Sequence, residues 1–125
     1  MAFDKETRTI TMYQGDYEEF FISGFDKDKK YRVYMAIQDK KRQPIGDEIE
    51  KETDETGFLK FEIVPSLSRL FTVPPNKESE EYYFAFKAFE IGTQKEKTIR
   101  LNGQEIGSKN TIIAYPQEAK GYLGV

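Results

Sequence analysis

The residues of this chain that could do chemistry are its carboxylates, lysines, tyrosines and serines, because it contains neither histidine nor cysteine. Histidine is the commonest general acid–base, and a cysteine thiolate serves as a nucleophile or a zinc ligand. Their absence rules out a disulfide framework, thiolate zinc sites and a cysteine nucleophile. We therefore expect no catalytic residues, no metal and no cofactor, and the sequence predicts a protein that is not an enzyme.

Two groups of acidic residues need an interpretation. Asp26 and Asp28 have the spacing that begins a calcium loop, but the next alternate position is Lys30. The glycine and the distal glutamate of an EF-hand loop do not follow in register. A solvated turn, with its charges balanced by neighbouring lysines, accounts for this stretch better than a calcium site.

The densest acidic group lies at residues 47–52. On a strand, Glu48, Glu50 and Glu52 would share one face, where they repel one another unless they are solvated or paired. A charged strand at residues 45–52 suits the edge of a sheet, since charges there oppose pairing with other chains. A helical turn is the competing interpretation for the structure of this segment. For its acidic residues, a charged sheet edge is a simpler explanation than a pair of catalytic carboxylates.

Aromatic residues are the stronger candidates for a functional site. Tyr34, Phe58, Tyr83 and Phe89 fall at positions that alternate with the apolar core positions, and Tyr122 lies in the C-terminal tail. Aromatic side chains on one outer face of a sheet can form a protein interface or stack on sugar rings. Half-exposed aromatic residues are also ordinary on sandwich surfaces. We name these five residues as the candidate interface.

Composition limits the remaining classes of function. The 125 residues fit one domain, and ten Phe and eight Tyr supply a large apolar area although only 38% of residues are hydrophobic. The net charge of −3 comes from mixed signs without a basic stripe, which argues against nucleic-acid binding. We expect no membrane span and no secretory signal, because no long apolar window is present. The lack of cysteine fits a reducing cytoplasm.

The elements that would position these residues are strands. Residues 7–25 predict two strands joined by a turn at residues 14–16, with Ile10 and Met12 on one apolar face and Phe20 and Ile22 on the other strand's apolar face. Gly15 suits the positive φ of such a turn, and Asp16 can bond back to the main chain. We interpret this pair as a β-hairpin that is the first strand pair of an all-β domain.

Further strands are predicted downstream. The alternation and the turn residues place them at residues 31–39, 45–52, 58–64, 81–90, 97–101 and 110–115, with an Asn102-Gly103 turn. Ser66 is predicted to cap one helical turn over residues 66–71. The predicted fold is an all-β, two-sheet antiparallel β-sandwich, Ig-like, of about seven to eight strands. Residues 1–116 form its single domain and residues 117–125 a loose tail. The predicted core comprises Ile10, Met12, Phe20, Ile22, Val33, Met35, Ile37, Leu59, Phe61, Ile63, Phe84, Phe86, Ile99 and Ile112.

The order of these elements resembles a known family. The stretch ITMYQGDYEEFFIS at residues 10–23, followed by YRVYMAIQD, is similar to the opening of small Ig-like domains in phage and prophage tail proteins. The N-terminal domain of siphophage upper baseplate proteins is such a domain. The later matching pieces are the turn and strand at residues 54–59, the Ser66-Leu67-Ser68 turn, the Tyr-rich strand from Glu81 and the closing strand at residues 110–115.

This resemblance implies a virion structural or adaptor protein of a tail or baseplate, without catalytic activity. Its partners would be other virion proteins and further copies of itself, and it would reside in the host cytoplasm until assembly into the virion. No contact with nucleic acid or membrane is expected. The alternative is a β-sandwich module that binds a carbohydrate or a cell surface through the exposed tyrosines.

Overall fold

Ten strands and one short helix make up the described part of the chain. The structure is a computed structural model that describes residues 3–4, 8–53, 58–93, 95–96, 100–101, 104–105 and 110–117. The elements are β1 (Phe3–Asp4), β2 (Thr9–Tyr13), β3 (Glu18–Ile22), β4 (Tyr31–Gln38), β5 (Ile49–Glu52), β6 (Leu59–Ile63), α1 (Pro65–Ser68), β7 (Glu80–Glu90), β8 (Arg100–Leu101), β9 (Gln104–Glu105) and β10 (Asn110–Tyr115).

Eight of the described strands form two layers, and β8 and β9 pair only with each other. Six strands form one sheet in the order β1-β2-β10-β7-β4-β5, and β3 pairs with β6 in a second sheet. The rings of Phe20 and Phe61 in the second sheet contact Phe86 of β7, so the two sheets face each other across a shared core. Neighbouring strands are antiparallel except β10 and β2, which are parallel. The predicted all-β, Ig-like sandwich is confirmed.

Buried and exposed positions alternate along the strands, and the buried side chains form the core between the two layers. In β4 the four odd-numbered positions are buried and the even-numbered ones are more exposed, which is the period of a strand with one covered face. The predicted core residues are buried, except Leu59, which is half-buried, and Ile99, which lies outside the described residues. The buried set also includes Phe25, Phe71 and Ala114.

The predicted β-hairpin at residues 7–25 is wrong in its pairing. Its strands and its turn are present: Gly15 has a φ of 90°, and the Asp16 side chain accepts a hydrogen bond from the main-chain N–H of Tyr13 at 3.0 Å. However, β2 pairs with β10, and β3 pairs with β6. The turn carries the chain from one layer to the other, so each strand buries its apolar face against the same core from opposite sides.

The turn between β2 and β3 is held by α1 and by the end of β10. Ser68 donates a hydrogen bond from its hydroxyl to the Asp16 carbonyl at 2.7 Å, and the Gln14 side-chain amide donates to the Arg69 carbonyl at 2.8 Å. The Gln14 main-chain N–H donates to the Tyr115 carbonyl at 2.8 Å. These bonds connect the crossing segment to both neighbouring parts of the fold.

The predicted cap of the helical turn, Ser66, is also wrong. The helix α1 begins at Pro65, its N-cap is Val64, and no side chain caps it. Proline is favoured at the first helical position because its fixed φ fits the helix and its missing N–H would have no partner there. Phe71 just after the helix is buried, whereas Leu70 is exposed.

The predicted edge strand is confirmed in a shorter form. The strand β5 covers only the last four residues of the predicted range and lies at the end of the six-stranded sheet. Residues 45–48 of the predicted range are not part of β5. Ile45 donates its main-chain N–H to the Ile37 carbonyl, and Gly46 has a φ of 70°, which an extended strand does not have.

Two further predictions fall partly outside the described residues. The Asn102-Gly103 turn lies outside them, although β8 and β9 on either side pair as antiparallel strands. Of the predicted tail at residues 117–125, only Gln117 is described, and it lies beside Gly15. No helix within the described residues is both long enough and apolar enough to cross a membrane.

Candidate interaction surface

The outward side of β4 and β7 carries a ladder of facing side chains. The two strands are antiparallel neighbours, and the outward residues form four pairs directly across from each other: Arg32 with Phe89, Tyr34 with Lys87, Ala36 with Ala85, and Gln38 with Tyr83. We call the surface formed by Tyr34, Ala36, Tyr83, Ala85 and Phe89 the aromatic face. Ala36 and Ala85 face each other in the middle of this surface. Their small side chains leave a depression between the larger aromatic side chains.

One end of the aromatic face is a ring pair beside a lysine. The rings of Tyr34 and Phe89 meet edge to face, with centroids 6.5 Å apart. The ammonium group of Lys87 lies 5.5 Å from the centre of the Phe89 ring and 2.9 Å from a carboxylate oxygen of Glu96. Edge-to-face and cation–π contacts fix the orientation of aromatic rings beyond what burial alone does. The two rings therefore form an ordered wall.

Two hollows lie on this face. The first, of about 520 Å³, is bordered by the Tyr34–Phe89 wall, Arg32 and the turn after β7. The second, of about 680 Å³, has Ala36 and Ala85 as its floor and Tyr83 as a wall. Gln38, Lys40 and Arg42 line the second hollow as well, so hydrogen-bond donors surround an apolar floor.

Charges around the first hollow are balanced across the edge of the sheet. Arg32 contacts the carboxylates of Glu50 at 3.1 Å and Glu52 at 2.8 Å. The hydrogen bond to Glu52 is the largest cause of the raised pKa of Arg32, followed by further contacts that include the charge of Glu50. Pairing with Arg32 therefore offsets the repulsion expected between these glutamates on β5.

A similar balance surrounds Glu80 beside the second hollow. Burial by itself would raise the pKa of Glu80, but a hydrogen bond from the Glu81 main-chain N–H and contacts with Lys40 and Lys77 together lower it. The distances from the Glu80 carboxylate to the two ammonium groups are 3.1 Å and 3.4 Å. Glu80 is therefore ionised near neutral pH and holds Lys40 at the rim of the hollow.

The outward side of the second layer has a different chemistry. Glu19 of β3 lies directly opposite Glu62 of β6, and the hydroxyl of Tyr17 lies 2.8 Å from one carboxylate and 2.6 Å from the other. Lys60 stands within 4 Å of both. The hydrogen bonds to Glu62 and then Glu19 raise the pKa of Tyr17, and the bond from Tyr17 is the main cause that lowers the pKa of Glu62. We call these four residues the carboxylate cluster.

The five predicted interface residues do not form one surface. Tyr34, Tyr83 and Phe89 lie together on the aromatic face, whereas Phe58 precedes β6 in the other layer and Tyr122 is outside the described residues. Phe58 therefore lies apart from the three others, and an interface role for each of these residues stays a prediction. The two-residue period gives the exposed side of each strand, but it does not say which layer the strand joins.

Sequence reasoning missed other exposed aromatic residues. Tyr13 at the end of β2 and Phe21 in β3 are 54% and 55% exposed. Both stand at alternate positions next to predicted core residues, so the same two-residue period could have found them. Tyr13 packs against Tyr115 with ring centroids 5.6 Å apart, at the far side of the six-stranded sheet from β5.

The acidic turn at residues 26–28 has a structural partner. The carboxylate of Asp26 accepts a hydrogen bond from the Tyr31 hydroxyl at 3.1 Å, and its main-chain carbonyl accepts one from the N–H of Lys29. Among the described residues, no group of three or more His, Cys, Asp or Glu side chains is arranged to hold a metal ion. The turn is thus ordered by contacts with its own neighbours.

Comparison with known structures supports the fold alone. The chain is similar to the crystal structure of the periplasmic chaperone SfaE, with a TM-score of 0.58 and 9% sequence identity. The similarity covers 89% of this chain and 56% of the chaperone, so the chain spans little more than half of that protein. No protein-family model matches the sequence, and a search of curated proteins also found no match.

Proposed function

We propose that this chain is a non-catalytic structural or adaptor protein of a phage or prophage tail or baseplate, acting through protein–protein contacts. The family resemblance supplies the virion context, and the Ig-like sandwich is the fold which that resemblance implies. Before assembly the protein would reside in the host cytoplasm. Its partners would be other virion proteins and further copies of itself.

The aromatic face is the observation that carries this proposal. Protein interfaces favour aromatic side chains and arginine at a patch surrounded by polar groups. Here the Tyr34–Phe89 wall stands beside Arg32, and ion pairs surround the hollows. A partner that inserts an apolar side chain above the Ala36–Ala85 floor would bury aromatic area on both sides.

The direct test is mass spectrometry of purified phage particles induced from cells that encode the chain. We expect the chain at a stoichiometric ratio to the other particle proteins. Its absence from particles, while abundant in the cells, would contradict the virion role.

A pair of variants then tests the surface. Tyr34→Ala combined with Phe89→Ala should reduce incorporation into particles about thirtyfold, the effect of losing an interface hot spot. Phe21→Ala is the matched control, because it also removes an exposed ring but lies in the other layer. Equal incorporation of both variants would show that the aromatic face does not contact a partner in the particle.

A second candidate function is binding of a carbohydrate, and the second hollow favours it. Tyr83 offers a ring for stacking, while Gln38 and Arg42 offer hydrogen-bond donors beside it. Titration with a panel of glycans should then quench tyrosine fluorescence, and Tyr83→Ala should abolish the response. A panel without any response would leave this candidate unsupported.

A further inference from the structure

The second layer of the sandwich is narrower than the first, and the difference leaves one side uncovered. Phe61 of β6 contacts Phe86 of β7, with ring centroids 5.2 Å apart. In the six-stranded sheet, β5 lies two strands beyond β7. Neighbouring strands are about 4.8 Å apart, so β5 extends sideways well past the strand that contacts β7 from the other layer.

The inward side of β5 is accordingly only half covered. Ile49 and Lys51 point toward the core side and are half-buried, unlike the fully buried inward residues of β4. Leu59 at the start of β6 is half-buried as well. On this side, the position next to β6 and above β5 holds no described strand, and we call it the space beside β6.

The edge of β6 that faces this space lacks a strand partner within the described residues. The opposite edge of β6 pairs with β3. Apart from β3, no described main-chain group forms a hydrogen bond with Leu59–Ile63. In an antiparallel strand, alternate N–H and C=O groups point to opposite sides. Half of the main-chain groups of β6 therefore point into the space.

Lys51 gives this space a charge preference. Its ammonium group lies 5.8 Å from the centre of the Phe61 ring, and its charge helps to lower the pKa of Glu62, although no described carboxylate lies within 4 Å of it. Lys51 occupies an inward position between β5 and β6, where an acidic side chain would gain both an ion pair and partial shelter from water.

We propose that β6 pairs with an extended segment of a partner protein that carries apolar side chains at alternate positions and one acidic side chain facing Lys51. The segment would add a strand to the two-stranded sheet and cover Ile49 and Leu59. Main-chain bonds give affinity in this mode of recognition, and the alternate side chains give specificity. This surface is on the core side of β5, so it does not depend on the aromatic face.

The width of the space excludes a second folded copy in the same position. A copy pairing through its own β6 would bring its own β5 into the region that β5 already occupies, because β5 extends past β6 in both copies. A single extended segment has no attached sheet and meets no such obstacle.

The experiment uses two synthetic peptides in which threonine alternates with valine and the central inward position is either glutamate or lysine. The full-length chain should bind the glutamate peptide about tenfold more tightly, the effect of one close charge pair. Lys51→Glu should reverse the preference. Lys41→Glu, the same charge change at an exposed position in the loop after β4, is the matched control and should keep it.

Amide hydrogen exchange identifies the strand that binds. In the absence of peptide, the alternate amides of β6 that do not bond to β3 should exchange rapidly, and the glutamate peptide should slow them. Equal affinity for the two peptides, no binding of either, or binding without protection of β6 would each overturn the proposal. Slow exchange of these amides in the chain alone would overturn it too, because this edge of β6 would then already be covered.

Discussion

The outward sides of the two layers differ in how they use the same residue types. On the aromatic face, Arg32 joins two glutamates of the neighbouring strand, and rings stand around a low floor of alanines. In the carboxylate cluster, two glutamates face each other directly, and Tyr17 and Lys60 hold them. The first arrangement leaves hollows for a partner, whereas the second uses its polar groups to hold two strands together.

Exposure of aromatic side chains alone does not identify a binding surface on this protein. Phe21 and Phe58 are more exposed than Tyr83, at 55% and 54% against 37%. Yet neither of them lines one of the two hollows on the aromatic face. The second hollow exists because Ala36 and Ala85 face each other between larger side chains on adjacent strands.

The largest expected effect comes from the core that both outward surfaces share. Phe61→Ala removes a fully buried ring that contacts Phe20 and Phe86, and it should destabilise the fold by about 3–5 kcal/mol. Denaturant unfolding followed by circular dichroism measures the loss. Phe21→Ala, at an exposed position of the neighbouring strand β3, should change stability by about 0.5 kcal/mol or less. Similar losses in the two variants would contradict the assignment of faces.

A smaller effect, on binding only, is expected from filling the second hollow. Ala85→Trp places a large ring on the hollow floor and should reduce incorporation into particles about tenfold or more, because the partner's side chain loses its place. Thr11→Trp on β2 of the same sheet is the control, since Thr11 is exposed and does not line either hollow. Thermal unfolding should show that both variants are folded. Full incorporation of Ala85→Trp would show that the second hollow is not part of the interface.

Removing Arg32 should have a modest effect on stability that depends on salt. Arg32→Ala leaves Glu50 and Glu52 on one face of β5 without the guanidinium between them. Exposed ion pairs contribute little and are screened by salt, so the small drop in melting temperature should shrink as ionic strength rises. A drop that persists in high salt would instead indicate that the apolar stem of Arg32 supports the Tyr34–Phe89 wall.

The smallest expected effect is a change of pH dependence in the carboxylate cluster. The lowered pKa of Glu62 means that its bond with Tyr17 stabilises the fold above the ordinary glutamate pKa of 4.5 and is lost as the pH falls through the folded value. The raised pKa of Tyr17 means that its stabilisation is present below 10.0 and is lost as the pH rises through the folded value. Tyr17→Phe should therefore lower the melting temperature between about pH 5 and 10 and approach the unmodified chain outside that window.

The control for this change is Tyr13→Phe, which removes an exposed hydroxyl from the other layer. Its melting temperature should follow that of the unmodified chain across the pH range. A difference between Tyr17→Phe and the unmodified chain that does not vary with pH would point to packing of the ring rather than to the carboxylates.

The sequence predicted which side chains point outward better than it predicted which strands are neighbours. The outward positions of Tyr34 and Tyr83 follow from a two-residue period within each strand, a local property. The floor of the hollow depends on Ala36 facing Ala85, a register between strands about fifty residues apart that no local pattern encodes. For the same reason the strands on either side of Gly15 were correct while their pairing was not.

The parallel pairing of β2 with β10 has a consequence for the timing of folding. Residues 9–13 pair with residues 111–115, so β2 cannot join β10 in the six-stranded sheet until residues 111–115 have left the ribosome. Contacts so distant in sequence slow folding, because the loop between them must be ordered first. During synthesis, Ile10 and Met12 remain without their final cover, and a chaperone that shields this early segment would raise the yield of folded protein.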